Sequence, residues 1–215
     1  SVTRPDGTRW SYVYNGDVNS VAVGSYAVKQ VTYPQGGSIS YGYQFIYFDS
    51  ASNPSSRSTV ISSKSSSAGG SWSFQYAPGA VGRLDVTTVN GPSGTTTYKH
   101  IGPNYTTSGT VWSVGLLYSK TIGNQQTETY TWDKQKISNE SFFRPGAFVT
   151  KVDAGATYAS VPVTTTISRN NANYVTQYSN YDAYGNPMTV AETGPNGGSK
   201  STTLSYNLNT TKWII

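Results

Sequence analysis

Between Tyr178 and Tyr206 the chain reads YSNYDAYGNPMTVAETGPNGGSKSTTLSY. This stretch constrains the fold more than any other. Tyr181 and Asp182 close one extended segment, and Ala183-Tyr184-Gly185-Asn186 turns the chain. Met188 and Val190 then alternate along a second segment. Gly194-Pro195-Asn196-Gly197-Gly198 turns the chain again, and Ser199 to Tyr206 runs back as a hydroxyl-rich strand. Gly and Asn supply the positive φ such turns need, and Pro fixes φ near −65°. Thr, Val and Tyr suit the pleated surface between turns. A helix would need an apolar period of 3.6, which is absent.

The same chemistry runs through the chain. Tyr 18, Gly 22 and Pro 10 in 215 residues describe strands and turns. Charged residues are 12% of the chain, about half the usual share, and disorder normally brings more charge and fewer aromatics. There is no cysteine, so disulfides and thiolate metal sites are excluded. The 15 Lys and Arg exceed the 10 Asp and Glu by five, but they are scattered singly. No basic run predicts nucleic-acid binding. No apolar run reaches the roughly 20 residues of a spanning helix. No cofactor is expected.

Read in order, Thr8 to Tyr14 is a strand with Trp10, Tyr12 and Tyr14 on one face, and Asn15-Gly16 is a turn dipeptide. Tyr26 to Tyr33 alternates. Ser38 to Phe48 carries Tyr41, Tyr43, Phe45 and Tyr47 on one face. Thr59-Val60-Ile61 begins a short strand before a Ser-rich turn region, Lys64 to Gly70. Trp72, Phe74 and Tyr76 alternate on the next strand. Val111 to Lys120 reads as an apolar strand. Gln126 to Trp132 reads as a strand closed by Asp133. Phe142 to Gly146 is a turn, and Val149 to Val152 a strand. Pro162, inside the strand Thr157 to Ile167, predicts an edge or a bulge. Asn170 to Asn173 is a turn. Hairpin turns are expected at Pro5–Gly7, Gln35–Gly37, Gly91–Gly94, Ile122–Asn124 and Gly194–Gly198. The fold class is therefore all-β, with antiparallel hairpin repeats in a curved or spiralling sheet. No linker divides the chain, so residues 1–215 form one β-rich region.

Four turns align on Pro, a spacer and Gly: Pro5-Asp6-Gly7, Pro34-Gln35-Gly36, Pro92-Ser93-Gly94 and Pro195-Asn196-Gly197. Three strands end on an aromatic followed by Asp: Phe48-Asp49, Trp132-Asp133 and Tyr181-Asp182. Self-similarity of this kind indicates stacked supersecondary units. With Tyr181, Asp182, Gly185 and Asn186 as its defining residues, the pattern resembles the RHS/YD-repeat family. That family includes secreted bacterial RHS toxins, shell components of insecticidal toxin complexes, and teneurin ectodomains. The resemblance implies that this chain is a fragment of the repeat region of a large secreted or cell-surface protein. It would build part of a hollow shell that encloses a toxin or mediates surface contacts. Its partners would be neighbouring repeats of a longer chain. The family's self-cleaving Asp-Pro pair is absent, and no segment looks like a C-terminal toxin, so neither activity carries over. Trp213-Ile214-Ile215 adds an apolar terminal strand, for which self-association through an open edge is expected.

No enzyme chemistry is expected. His100 is the one histidine, in a strand with no nucleophile motif beside it. Glu128, Asp133 and Glu140 are the closest carboxylates in sequence. Glu128 and Asp133 differ by an odd number of positions, so one strand would set them on opposite faces, unlike a glycosidase pair. The aromatic faces carry the alternative function. Trp10, Tyr12, Tyr41 and Tyr43 can stack on sugar rings in a carbohydrate-binding module, or they are the packed face of the sheet.

Overall fold

The computed structural model describes residues 1–16, 26–47, 57–138 and 157–207. The chain forms two compact units, Ser1–Tyr105 and Thr106–Ile215, a boundary that the sequence reading of one continuous region does not contain. The first unit holds β1 (Val2–Thr3), β2 (Arg9–Tyr14), β3 (Val28–Thr32), β4 (Ser38–Tyr47), β5 (Arg57–Ser66), β6 (Ser71–Ala77), β7 (Asp85–Gly91) and β8 (Gly94–His100). The second holds β9 (Leu117–Ile122), β10 (Gln126–Ser138), β11 (Thr157–Arg169), β12 (Ala172–Tyr181), β13 (Pro187–Thr193) and β14 (Ser199–Thr203). Within each unit every strand pairs antiparallel with the next. The all-β hairpin architecture expected from the turns is the one observed. Among the described residues the helical content is a single 3-10 turn, Val111–Ser113. No helix among them is long and apolar enough to cross a membrane.

All five expected hairpin turns form. Their geometry shows what unites them. In Arg4–Thr8, Tyr33–Gly37, Ser66–Gly70, Asp182–Asn186 and Gly194–Gly198 the first residue accepts from the fourth N–H and donates to the fifth carbonyl. The fourth residue is always glycine, with φ of 81° at Gly7, 83° at Gly36, 102° at Gly69, 87° at Gly185 and 78° at Gly197. This is a type I turn extended by one left-handed residue, a position that a side chain strains. The shared geometry therefore rests on glycine and not on the Pro by which the sequence aligns. Pro92-Ser93 sits instead in a two-residue connection, with Gly91 opposite Gly94. Arg169 and Ala172 are likewise joined by two residues, Asn170 (φ 51°) and Asn171 (φ 56°), the type I′ geometry that Asn favours.

Several strand boundaries differ from expectation. β5 runs on to Ser66, because Ser side chains alternate across the pleat as readily as apolar ones. The start of the expected Val111 strand is the 3-10 turn, where Ser113 Oγ donates to the Thr110 carbonyl at 2.7 Å. Asp133 does not close a strand, for β10 continues to Ser138 along its partner β11. Pro162 does sit at a bulge: Thr131 faces Thr164 and Trp132 faces Pro162, leaving Val163 between. Asn15 donates to Ala27 and accepts from Tyr26, with residues 17–25 outside the described set. Phe48-Asp49, the 142–152 expectations and Trp213-Ile214-Ile215 also lie outside it.

The faces are strongly divided. On β6, Trp72, Phe74 and Tyr76 are half-buried, while Ser71, Ser73, Gln75 and Ala77 are exposed. On β10, Glu128, Tyr130 and Trp132 are half-buried, while Thr129, Thr131 and Asp133 are exposed. The aromatic sides are covered only in part. Among the described residues Val161, at 4% exposure, is the one buried apolar side chain. The units therefore hold together through backbone ladders and cross-strand pairs more than through a deep core.

Candidate functional site

Tyr181, Asp182, Gly185 and Asn186, the residues expected to mark the repeat, divide two tasks. Tyr181 ends β12, and its hydroxyl donates to the Pro162 carbonyl across the hairpin. Burial, with the nearby Tyr178, pushes the phenol up to about 12, so it remains a donor. Asp182 opens the next turn. Its Oδ1 accepts from the N–H of Tyr184 at 2.8 Å and of Asn186 at 2.9 Å, and its Oδ2 accepts from Asn186 Nδ2 at 3.1 Å. Burial opposes ionisation there, but these bonds outweigh it and hold the carboxyl below its ordinary value. Gly185 stands at the left-handed corner, where an added Cβ would lie only 3.4 Å from Ala159 Cβ. The four residues are thus brought together as one junction between hairpins.

The Tyr181 bond belongs to a series. Tyr43 donates to the Val28 carbonyl at 2.6 Å, Tyr76 to Ile61 at 2.8 Å, Trp132 to Leu117 at 2.8 Å and Tyr206 to Pro187 at 2.9 Å. Each joins the two strands of one hairpin at its open end. In every case the backbone ladder stops before the acceptor: at Gln30–Ser40, Ser63–Ser73, Ser119–Thr129, Thr164–Gln177 and Thr189–Thr203. Beyond those pairs the strands separate, and a carbonyl would lack its partner. An aromatic ring spans the gap and donates to it. Val28, Ile61 and Pro162 also lie at register shifts, where a strand bends locally. Sequence reading missed this set. The available signal was an aromatic 15 or 19 residues after the acceptor, but a backbone acceptor has no residue signature of its own.

The stacking candidates occupy one side of the first unit. Trp10 meets Tyr33 edge-on, with centroids 4.8 Å apart. Tyr12 is exposed. Tyr41 lies opposite Lys64, and Lys64 opposite Trp72, in a single cross-strand row. Tyr43 is tied to Val28, and burial raises its phenol pKa. Cations cover other rings. Lys64 Nζ is 4.8 Å from the Trp72 centroid and the Arg57 guanidinium 4.2 Å from that of Phe45. A Cβ on Gly91 would come within 2.4 Å of Trp72 Cδ1, so glycine is what lets the indole lie flat there.

The second unit carries a polar cluster on its aromatic side. Glu128 Oε1 accepts from Lys120 Nζ at 3.1 Å and Gln126 Nε2 at 2.7 Å, and Oε2 accepts from the Tyr130 hydroxyl at 2.5 Å. The Tyr130 bond chiefly, with help from Lys120 and Gln126 against burial, lowers the carboxyl pKa. Both oxygens are committed to neighbours, and Asp133 projects from the other face, so the two make no facing pair. Glu140 lies outside the described residues. His100 pairs in register with Asp85 and stacks on Tyr98 at 6.5 Å. Asp85 Oδ1 in turn accepts from Gly79 N–H at 2.7 Å, as part of a loop in which Asn104 also bonds the Gly79 carbonyl at 2.8 Å. Among the described residues no group of three or more His, Cys, Asp or Glu is placed to hold a metal. No protein-family model matches the chain, and no curated protein matches it either.

Proposed function

We propose that the chain is a structural wall segment of an RHS/YD-type shell, within a large secreted or cell-surface protein that encloses a cargo or mediates surface contacts. The observation that carries this reading is the repeated hairpin closed by an aromatic-to-carbonyl bond, joined at Tyr181-Asp182 to the next. Such units leave both faces partly open and gain from neighbours on either side. Further repeats of the same kind are the expected partners, with contact through strand edges. No catalytic role is part of this reading: Asp182 and Asp85 are engaged in a turn and a loop, and Glu128 and Asp133 face opposite sides of β10. Electron cryomicroscopy of the native gene product tests the reading. A hollow β-walled particle with these hairpins in its wall is expected. A native product without such a wall overturns it.

Carbohydrate binding is the second reading. The observation in its favour is that Tyr12 remains exposed at 36% beside the Trp10 and Tyr41 surface. A glycan array on the 215-residue chain tests it.

A further inference from the structure

Basic side chains are laid along the aromatic face of the first unit. Tyr41, Lys64 and Trp72 are consecutive register partners across β4, β5 and β6. Lys29 lies just beyond the last β3–β4 pair, Gln30–Ser40, at the register shift of β3. Arg57 lies over Phe45 on the same strand pair. Lys29 and Arg57 are exposed and Lys64 is half-buried. Among the described residues none of the three has a carboxylate partner; the ion pairs there are Lys120–Glu128 and Lys200–Glu192, both in the other unit.

The support beneath the charges matters. Trp72 is held between Lys64 on one side and Gly70 and Gly91 on the other. The ring is backed by the two glycines and carries the Lys64 ammonium 4.8 Å from its centroid, so its role is to hold that cation in place. A nucleic-acid platform needs open ring faces in succession, and here cations lie over both Phe45 and Trp72. What the face offers is fixed positive charge, Lys64 beside Tyr41 and Arg57 further along the same strand pair. We propose that this face binds a linear anionic polysaccharide, with Lys64 and Arg57 meeting its carboxylate or sulfate groups and Tyr41, opposite Lys64, resting on a sugar ring. Charge complementarity selects the occupant. The proposal rests on the carbohydrate-binding reading and does not depend on the shell reading.

The test is titration of the 215-residue chain with polygalacturonate, dextran sulfate, neutral dextran and single-stranded DNA. Lys64→Gln, Arg57→Gln and Lys99→Gln are compared, each checked for an unchanged circular dichroism melt. Lys64→Arg is included as a conservative variant that keeps the cation. Binding to one of the two anionic glycans is expected, which identifies carboxylate or sulfate as the recognised group. Lys64→Gln and Arg57→Gln should each weaken it about fivefold or more. Lys64→Arg should retain it, and Lys99→Gln, whose side chain belongs to the opposite face by register, should leave it unchanged. Equal weakening by Lys99→Gln would reduce the effect to net charge and overturn the site. Tighter binding of DNA with the same residue dependence would overturn the assignment of the ligand. Binding of neutral dextran unaffected by these variants would keep the carbohydrate reading and sink the anionic one. Binding of no glycan would remove both.

Discussion

Tyr181 and Asp182 are neighbours that serve two different hairpins, one closing β11 and β12 and the other shaping the turn into β13. The pair stands out in the sequence as an aromatic followed by a turn-forming Asp, but its division of labour does not. Half of it depends on a carbonyl, and every residue has one. The five aromatic donors give this a quantitative test. Tyr76→Phe removes only an oxygen, so its ring still fills the gap while the Ile61 carbonyl loses its donor. A stability loss of about 1 kcal/mol is expected from such a deletion. Tyr12→Phe, at an exposed residue, should change stability by less than about 0.5 kcal/mol. Urea midpoints of the two variants decide it. Equal midpoints would mean that the ring alone, and not its hydrogen bond, holds the hairpin's open end.

At the level of elements, turns were legible and strand ends were not. Gly in the fourth position announces the three-residue loops, because few other residues accept φ near 80°. By contrast, Asp133 and the serines of β5 carry turn propensity but lie inside strands. There the partner strand keeps pairing, and ladder bonds override the local preference. Asp182 shows a residue acting where its propensity points. Its folded pKa is lowered, so it stabilises the turn fully above the unfolded value, 3.8. That contribution is lost as the pH falls through the folded value. Asp182→Asn resembles the neutral acid in shape. The melting temperatures of wild type and Asp182→Asn should therefore differ at pH 6 and converge near pH 2. A gap that stays constant over that range would show that ionised Asp182 contributes nothing to the turn.

For the whole chain, the sequence carries no mark of the two compact units. Turn and strand signals continue across Tyr105 and Thr106 without a linker, since a boundary of this kind is set by which strands share contacts and not by composition. The aromatic and hydroxyl faces were visible as alternation, whereas the cations resting on rings were not, because Lys64 and Trp72 meet only through the β5–β6 register. If the two units are also energetic units, damage in one should stay there. Gly185→Val puts a β-branched residue at φ 87°, with its Cβ 3.4 Å from Ala159. The strain is expected to cost about 1 kcal/mol or more. Hydrogen exchange on the intact variant should then show reduced protection on β11, β12 and β13. The amides of β3 to β8 should exchange at their wild-type rates. An equal loss of protection in both sets would mean that the chain unfolds as a single cooperative body.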